Sequence, residues 1–188
     1  VAGTTFYHCH VQPQAHILMG LQGMLVVEEN RPNNWLQTFN IGAGRVRVPS
    51  VAGRERYDRE YDLHYLEIDS NLNNRIQQFN DPRLISRSVH RQYNVTKRVA
   101  DYYVLNGRSF PYTVRESMII VAPGEKNRLR VLNGGSEGLA LHLHGHKPIL
   151  THRDGIAVAA GQEVQRDVFW IASAQRLDLE LSTVNDGI

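Results

Sequence analysis

The chain has 188 residues, enough for one large domain or for one small domain with part of another. Hydrophobic residues make up 41% and charged residues 21%, which is ordinary for a globular protein and excludes a disordered or fibrous chain. The formal net charge is only +2 and the basic residues are scattered, so the sequence offers no basic stripe for a nucleic acid partner.

Short segments rich in β-forming residues follow one another along the chain, separated by Gly, Pro, Asn and Asp. We predict strands over these segments: Thr4–Val11, Met24–Glu29, Tyr61–Ile68, Tyr102–Leu105, Ser117–Val121, Arg128–Val131, Ala140–His144, Val164–Trp170 and Leu177–Ser182. The segment Asn71–Arg87 is polar and has little strand character, which indicates a connecting or weakly helical segment. Many short strands with turns between them predict an all-β sandwich.

Charged residues concentrate at Arg54–Glu60, just before a new series of strands. We place a module boundary there, which gives modules of residues 1–57 and 58–188. The opening stretch, Val1–Glu29, has the pattern strand, loop, strand, with no segment before it to pair with. This pattern predicts that the first module is the end of a domain.

The segment His8-Cys9-His10 lies inside the first predicted strand and contains the only cysteine of the chain. Side chains of a strand alternate between faces, so Cys9 points one way while His8 and His10 point the other. With one cysteine, an intrachain disulfide is excluded, which leaves a free thiol or a metal thiolate. A thiolate with imidazoles and a weak or absent axial ligand is typical of a blue-copper site, and paired histidines on a shared face suit other coppers.

This segment resembles the carboxy-terminal signature of a cupredoxin domain in the multicopper oxidases, in which His-Cys-His is followed by a histidine and, five residues later, by an axial position. In this chain those positions are His16 and Leu21, although the loop from Cys9 to His16 is two residues longer than in the common laccase pattern. The resemblance implies a type 1 copper bound by Cys9 and His16. Leucine cannot bind copper, so the resemblance implies a three-coordinate site of raised reduction potential, with Met19 as the competing axial candidate.

A second motif, Leu141-His142-Leu143-His144-Gly145-His146, again places two histidines on one face of a predicted strand. In the same family, the His-X-His-Gly element binds the trinuclear cluster of one type 2 and two type 3 coppers. The resemblance therefore assigns His142 and His144 to that cluster, together with His8 and His10. Leu139 stands where a further histidine would mark a second type 1 copper, so we expect none in the second module.

The resemblance covers nearly the whole chain and implies cupredoxin-like Greek-key β-sandwich domains. Residues 1–57 would be the carboxy-terminal part of one domain and residues 58–188 most of the next. The trinuclear cluster of this family uses eight histidines and the motifs supply half of them. We therefore expect a fragment whose copper sites are completed by the remainder of the same chain or by neighbouring subunits.

The implied function is a multicopper oxidase, in which a small-molecule or metal-ion reductant gives single electrons and dioxygen is reduced to water. Two alternatives stay open. A copper nitrite reductase has the same domain plan, but the residue after its cysteine is not histidine, so His10 argues against it. A blue-copper electron-transfer module would leave the paired histidines without a purpose.

The family resemblance implies a periplasmic or extracellular protein, and since no apolar run reaches roughly 20 residues, we expect no membrane span.

Other polar residues are expected to be structural. Zinc is disfavoured because structural zinc sites need more cysteines or histidines at short spacing. His146 is expected to support a ligand without binding metal. The remaining residues in this group are expected at the surface, in loops or at turn caps: His64, His90, His152, Glu67 and Asp69.

Overall fold

The structure, a computed structural model, describes residues 2–28, 37–41, 44–48 and 57–183. The strands of this part are β1 (Gly3–His8), β2 (Gln22–Val27), β3 (Gln37–Ile41), β4 (Gly44–Val48), β5 (Arg59–Ile68), β6 (Tyr102–Leu105), β7 (Lys126–Asn133), β8 (Leu139–His142), β9 (Ile149–Arg153), β10 (Ile156–Ala157), β11 (Val164–Gln165), β12 (Val168–Ile171) and β13 (Arg176–Ser182). The helices are α1 (Pro13–His16), α2 (Ser70–Gln77), α3 (Pro82–Gln92) and α4 (Thr113–Glu116), with a 3-10 turn at Val95–Lys97. The predicted mostly-β fold is confirmed.

The largest sheet runs in the order β10-β9-β13-β7-β5-β4-β3, with β11 paired to β9 and β6 paired to β5. Strand β7 lies at its centre, antiparallel to β13 and parallel to β5. Two smaller pairs stand apart from it, β1 with β2 and β8 with β12. A central strand covered on both faces explains why nearly every residue of β7 is buried.

The two faces of the large sheet are covered by different layers. Leu129 and Val131 of β7 point into an apolar core that also holds Phe169 and Ile171 of β12, and burial of each such side chain contributes roughly 1.5–3 kcal/mol. Between them in sequence, Arg130 points to the opposite face, as strand alternation requires. That face is polar, and the β1–β2 pair packs against it.

The polar segment between β5 and β6 forms two helices, α2 and α3, where the sequence predicted a connecting or weakly helical segment. Asp69 caps α2 by accepting from the N–H groups of Asn71 and Leu72. Asp81 caps α3, which begins at Pro82, a residue favoured in the first helical position. These caps stabilise helices whose own residues have modest helix propensity.

Some predicted strands are wrong. Residues 117–121 form no strand, although Ile119 and Val121 pack against the core. The Tyr61 hydroxyl accepts from the N–H of Ile120 and donates to its carbonyl, so a side chain supplies the hydrogen bonds that a neighbouring strand would make. The segment 164–170 is divided into β11 and β12, and four strands were not predicted: β3, β4, β9 and β10.

Strand β4 pairs with β5 at Val46↔Tyr61 and Arg47↔Glu60, so residues of the first predicted module join the sheet of the second. The predicted boundary itself falls within 54–60, and residues 49–56 lie outside the described residues. The division at 57 and 58 therefore stays a prediction. In the described part, no helix is long and apolar enough to cross a membrane.

Candidate metal sites

The loop from Cys9 to Leu21 connects β1 to β2 and brings a thiol beside an imidazole. The Cys9 N–H donates to the carbonyl of Leu21 at 3.1 Å, and the Leu21 N–H donates to the carbonyl of His16 at 2.8 Å. The short helix α1, which begins at Pro13, turns the chain back so that His16 Nδ1 lies 3.1 Å from Cys9 Sγ. Two of the predicted type 1 ligands are thus in contact.

The Cys9 thiol has an environment that favours the thiolate. The hydrogen bond with His16 is the main cause that lowers the pKa of this thiol, and backbone N–H groups of Gln12 and Val11 add to it. Burial acts in the opposite direction and is the smaller effect. Because the thiolate is the form that binds metals, this environment prepares Cys9 as a ligand.

The rings of His8 and His10 come together as predicted, although β1 ends at His8 and the predicted strand Thr4–Val11 therefore does not extend to His10. Their rings stack with centroids 4.4 Å apart and an angle of 25° between planes. Nδ1 of His8 lies 3.1 Å from the carbonyl oxygen of Cys9. A carbonyl can only accept, so the ring proton of neutral His8 is on Nδ1 and the lone pair of Nε2 is free for a metal.

His142 and His144 form the second pair, at the end of β8. His142 is opposite Val168 of β12, and its Nδ1 lies 3.1 Å from the carbonyl oxygen of Asp167. The same reasoning places the proton on Nδ1 and leaves Nε2 free. His144 follows in a turn with Gly145, whose φ of 71° favours glycine, and the two imidazole centroids are 4.7 Å apart.

His146 contacts the backbone of the second pair. Its Nδ1 lies 2.8 Å from the carbonyl oxygen of His144, so it restrains the turn that carries a predicted ligand. This contact fits the expected supporting role, although it reaches the backbone of His144 and not the ring.

The described residues do not bring the two histidine pairs into one cluster. No group of three or more potential ligands among His, Cys, Asp and Glu comes together in this part of the chain. The side chains of Leu21 and Met19 are 57% and 39% exposed, and the axial role of Leu21 stays a prediction.

Two of the histidines expected at the surface or in loops are in strands and at least partly buried, so those expectations are wrong. His64 lies on β5, half-buried, with Nε2 3.3 Å from Oε1 of Gln22. His152 lies on β9, is 7% exposed, and its Nδ1 is 3.7 Å from a carboxylate oxygen of Asp178. Only His90, on α3, is exposed as expected.

The two acids Glu67 and Asp69 have structural partners. Glu67 is buried and not solvated as expected, because it pairs with Arg98 and accepts from the backbone N–H groups of Ser136 and Glu137. Those N–H groups would otherwise lack partners in a turn. Asp69 is the predicted cap, and it also accepts from the Tyr93 hydroxyl at 2.6 Å.

A cavity of about 720 Å³ lies between the Cys9–Leu21 loop and the helices α2 and α3. The loop contributes Val11, His16 and Met19 to its wall, and the helices contribute Ile76 and Ser86 among others. Its volume is in the range of small-molecule sites. Sequence reasoning missed this cavity because no motif marks α2 and α3, which are brought to the loop only by tertiary packing.

Solved copper proteins share the fold of the whole chain. The blue copper oxidase from Nitrosomonas europaea aligns over 100% of this chain and 48% of its own, with 26% identity and a TM-score of 0.66. The multicopper oxidase mgLAC covers 99% of this chain and 47% of its own, with 21% identity and a TM-score of 0.64. The copper nitrite reductase from Nitrosomonas europaea covers 99% and 54%, with 18% identity and a TM-score of 0.60.

This chain therefore spans about half the length of the structures that it matches. No family model matches the sequence, and no curated protein matches it. The alignment with the first of these structures covers the whole chain.

Proposed function

We propose that this chain, which has the cupredoxin-like fold of the multicopper oxidases, is part of an enzyme that oxidises a reductant by single electrons and reduces dioxygen to water. Cys9 and His16 would hold a type 1 copper. His8, His10, His142 and His144 would hold type 2 and type 3 coppers. The observation that carries the proposal is the position of Cys9. Its Sγ lies 3.1 Å from Nδ1 of His16, and its carbonyl oxygen lies 3.1 Å from Nδ1 of His8 and orients that ring.

The donor set fits copper. A soft thiolate beside an imidazole suits a type 1 site, and imidazoles whose Nδ1 is fixed by a carbonyl present Nε2 to a metal. In this chain Cys9 and His16 supply the first arrangement, and His8 and His142 supply the second. Bound copper would supply one-electron redox chemistry and a place for dioxygen.

The residues around Cys9 link the two sites. Cys9 is bonded through its backbone to His8 on one side and His10 on the other, so a continuous covalent path runs from the thiol to both imidazoles. The Cys9 N–H donates to the carbonyl of Leu21, whose own N–H donates to the carbonyl of His16, and these two bonds keep the thiol at one end of this path in place. This path supports transfer of single electrons between the two sites.

The second histidine pair lies on an exposed surface that a partner could cover. His142 shares a face of the β8–β12 pair with Val168 and Trp170, and Trp170 is 67% exposed. Aromatic side chains are enriched at protein interfaces, and Trp170 lies beside the proposed ligand His142. We propose that histidines from the remainder of the same chain or from a neighbouring subunit complete the cluster at this face.

A copper nitrite reductase and an electron-transfer module are the two alternatives to this function. The likeness to a copper nitrite reductase shows a shared fold, while the histidine at position 10 favours the oxidase. An electron-transfer module would need only the type 1 copper, held by Cys9, His16 and the further ligands of that site. The stacked pair of His8 and His10 supports a second site and so favours the enzyme.

We propose a periplasmic or extracellular location, in line with the family resemblance.

The cavity beside His16 is the place that we propose for a small organic reductant. Ser86→Trp puts a bulky ring into its wall from an exposed position on α3. We expect KM for such a reductant to rise roughly tenfold, the loss of about 1.4 kcal/mol of binding. The copper content should stay unchanged, since Ser86 is not a ligand and the packing of Ala15 on Leu72 and Val89 still holds the loop when the hydrogen bond from Gln12 to Ser86 is lost. Steady-state kinetics would measure this change.

Leu84→Trp is the matched control, because Leu84 is exposed on the same helix and does not line the cavity. Its KM should equal that of the wild type. An unchanged KM in Ser86→Trp would show that the reductant binds elsewhere.

The test of the proposed function is the copper content of the full-length protein, measured together with its visible and electron paramagnetic resonance spectra. About four coppers per set of sites, an intense blue band and a type 2 signal are expected. A single blue copper would indicate the electron-transfer module. One type 1 and one type 2 copper, with nitrite reduction, would indicate the reductase, and zinc or no metal would contradict all three.

A further inference from the structure

The side chain of Gln22 is buried at the junction between the Cys9–Leu21 loop and the large sheet. Its Nε2 donates to the carbonyl of Gly134 at 2.7 Å and to the carbonyl of Ile17 at 3.0 Å. Its Oε1 lies 3.3 Å from Nε2 of His64, which must donate because an amide oxygen can only accept. Every hydrogen-bonding group of this buried amide therefore has a partner.

The three partners come from three separate parts of the chain. Ile17 follows His16 in the loop, Gly134 follows β7, and His64 is in the middle of β5. A Cβ on Gly134 would lie 2.1 Å from Oε1 of Gln22 and 2.6 Å from Nε2 of His64. Only glycine allows the amide and the imidazole to approach the backbone this closely.

His64 is itself held in place on both sides. Its backbone N–H donates to Oδ1 of Asn106 at 2.9 Å, and its carbonyl accepts from the N–H of Asn106 at 2.8 Å. Burial lowers the pKa of the His64 imidazole, which keeps the ring neutral while it donates to Gln22. The Asn106 contacts therefore hold the backbone of His64, while the contact with Gln22 holds its half-buried ring.

We propose that His64 and Gln22 are positioning residues that tie the Cys9–His16 ligand loop to the large sheet and thereby set the properties of the copper that the loop would hold. The pair restrains the loop at Ile17, next to His16, and at Gln22, next to Leu21. Restraints on metal ligands by groups that do not bind the metal are a general means of tuning it. The copper part of this inference rests on the proposed function, whereas the restraint of the loop does not.

Other contacts hold the loop elsewhere, so the effect of the pair is local. Ala15 of α1 packs with Leu72 and Val89 of α2 and α3, all at most 2% exposed. Gln12 donates to the Ser86 hydroxyl at 3.2 Å. Removing the donor at His64 should therefore loosen the segment from Ile17 to Gln22 without unfolding the loop as a whole.

The experiment compares His64→Phe, which keeps a ring and removes the donor, with His64→Gln, which keeps an N–H donor. In the metal-free protein, we expect amide hydrogen exchange of residues 17–22 to become about tenfold faster in His64→Phe, with β13 unchanged. In the copper-loaded protein, we expect His64→Phe to lower the reduction potential of the type 1 copper, because a looser loop admits water. His64→Gln should restore both quantities toward the wild type.

The two measurements separate the possible failures. If copper does not bind, the proposed function is wrong, and the exchange rates still decide whether the pair restrains the loop. If exchange is unchanged in His64→Phe, the restraint is absent and the inference is overturned. Faster exchange with an unchanged potential would overturn the tuning of the metal. Gln22→Met, which removes the amide and keeps the length of the side chain, should reproduce the result of His64→Phe and would contradict the inference if it does not.

Discussion

Cys9→Ser should abolish the blue band of the copper-loaded protein and lower oxidase activity by more than about 100-fold. Even groups that only support a ligand cost about 10- to 100-fold when they are removed, and Cys9 is the proposed ligand itself. A serine hydroxyl is neither soft nor deprotonated at neutral pH, so it cannot replace the thiolate. Visible absorption and oxygen uptake would measure the two effects.

The fold of Cys9→Ser should be retained. Cys9 Sγ contacts His16 and the N–H of Val11, and Cys9 belongs to neither apolar core cluster. The type 2 signal should therefore persist. Met19→Leu is the control from the same loop, and it should keep the blue band if Leu21 occupies the axial position. A blue band that survives in Cys9→Ser would show that the thiol is not the ligand.

The histidine pairs could be predicted from the sequence because their arrangement is local. Strand alternation predicted His8 and His10 on one side, and their rings do stack, although β1 ends at His8. The contact of Cys9 with His16 spans only seven residues. The family resemblance, and not backbone geometry alone, predicted that Cys9 and His16 meet, because the loop between them is also held by the packing of Ala15 on Leu72 and Val89.

Contacts between distant residues could not be predicted in this way. Gln22 and Gly134 are 112 residues apart in sequence, and nothing in either segment marks the other as its partner. His64 and His152 are in strands, and each lies beside a polar partner that only the sheet register brings close. The sequence of a strand does not show whether the sheet face that carries a histidine is covered by another part of the chain.

The helices α2 and α3 were also not specified by apolar periodicity. Their segment reads as polar, and their caps at Asp69 and Asp81 are single residues that also occur in turns. Leu72 and Val89 hold the two helices in place by their contact with Ala15, a residue of the Cys9–Leu21 loop. Because that contact is tertiary, the cavity beside His16 was invisible in the sequence.

Arg130→Met should lower the free energy of unfolding by about 3–5 kcal/mol, the cost of leaving buried charges without their partner. Arg130 Nε lies 2.7 Å from Glu60 Oε1 and its Nη1 lies 2.7 Å from Asp178 Oδ2, with all three side chains at most 3% exposed. Burial alone would lower the pKa of Arg130, but the two carboxylates more than offset this and raise it, so the ion is fully charged. Chemical denaturation would measure the change.

The loss should also weaken the packing of the β1–β2 pair on the large sheet. Arg130 Nη1 donates to the Thr4 hydroxyl at 3.0 Å and Nη2 pairs with Glu28 at 3.3 Å, so one guanidinium joins β1 and the residue after β2 to β7. Arg83→Met is the matched control, because Arg83 pairs with Asp81 while its side chain is 89% exposed. Exposed ion pairs contribute little to stability, so the unfolding of Arg83→Met should be nearly that of the wild type. Equal losses in the two variants would show that the buried network does not stabilise this fold, because burial is the physical difference between the two pairs.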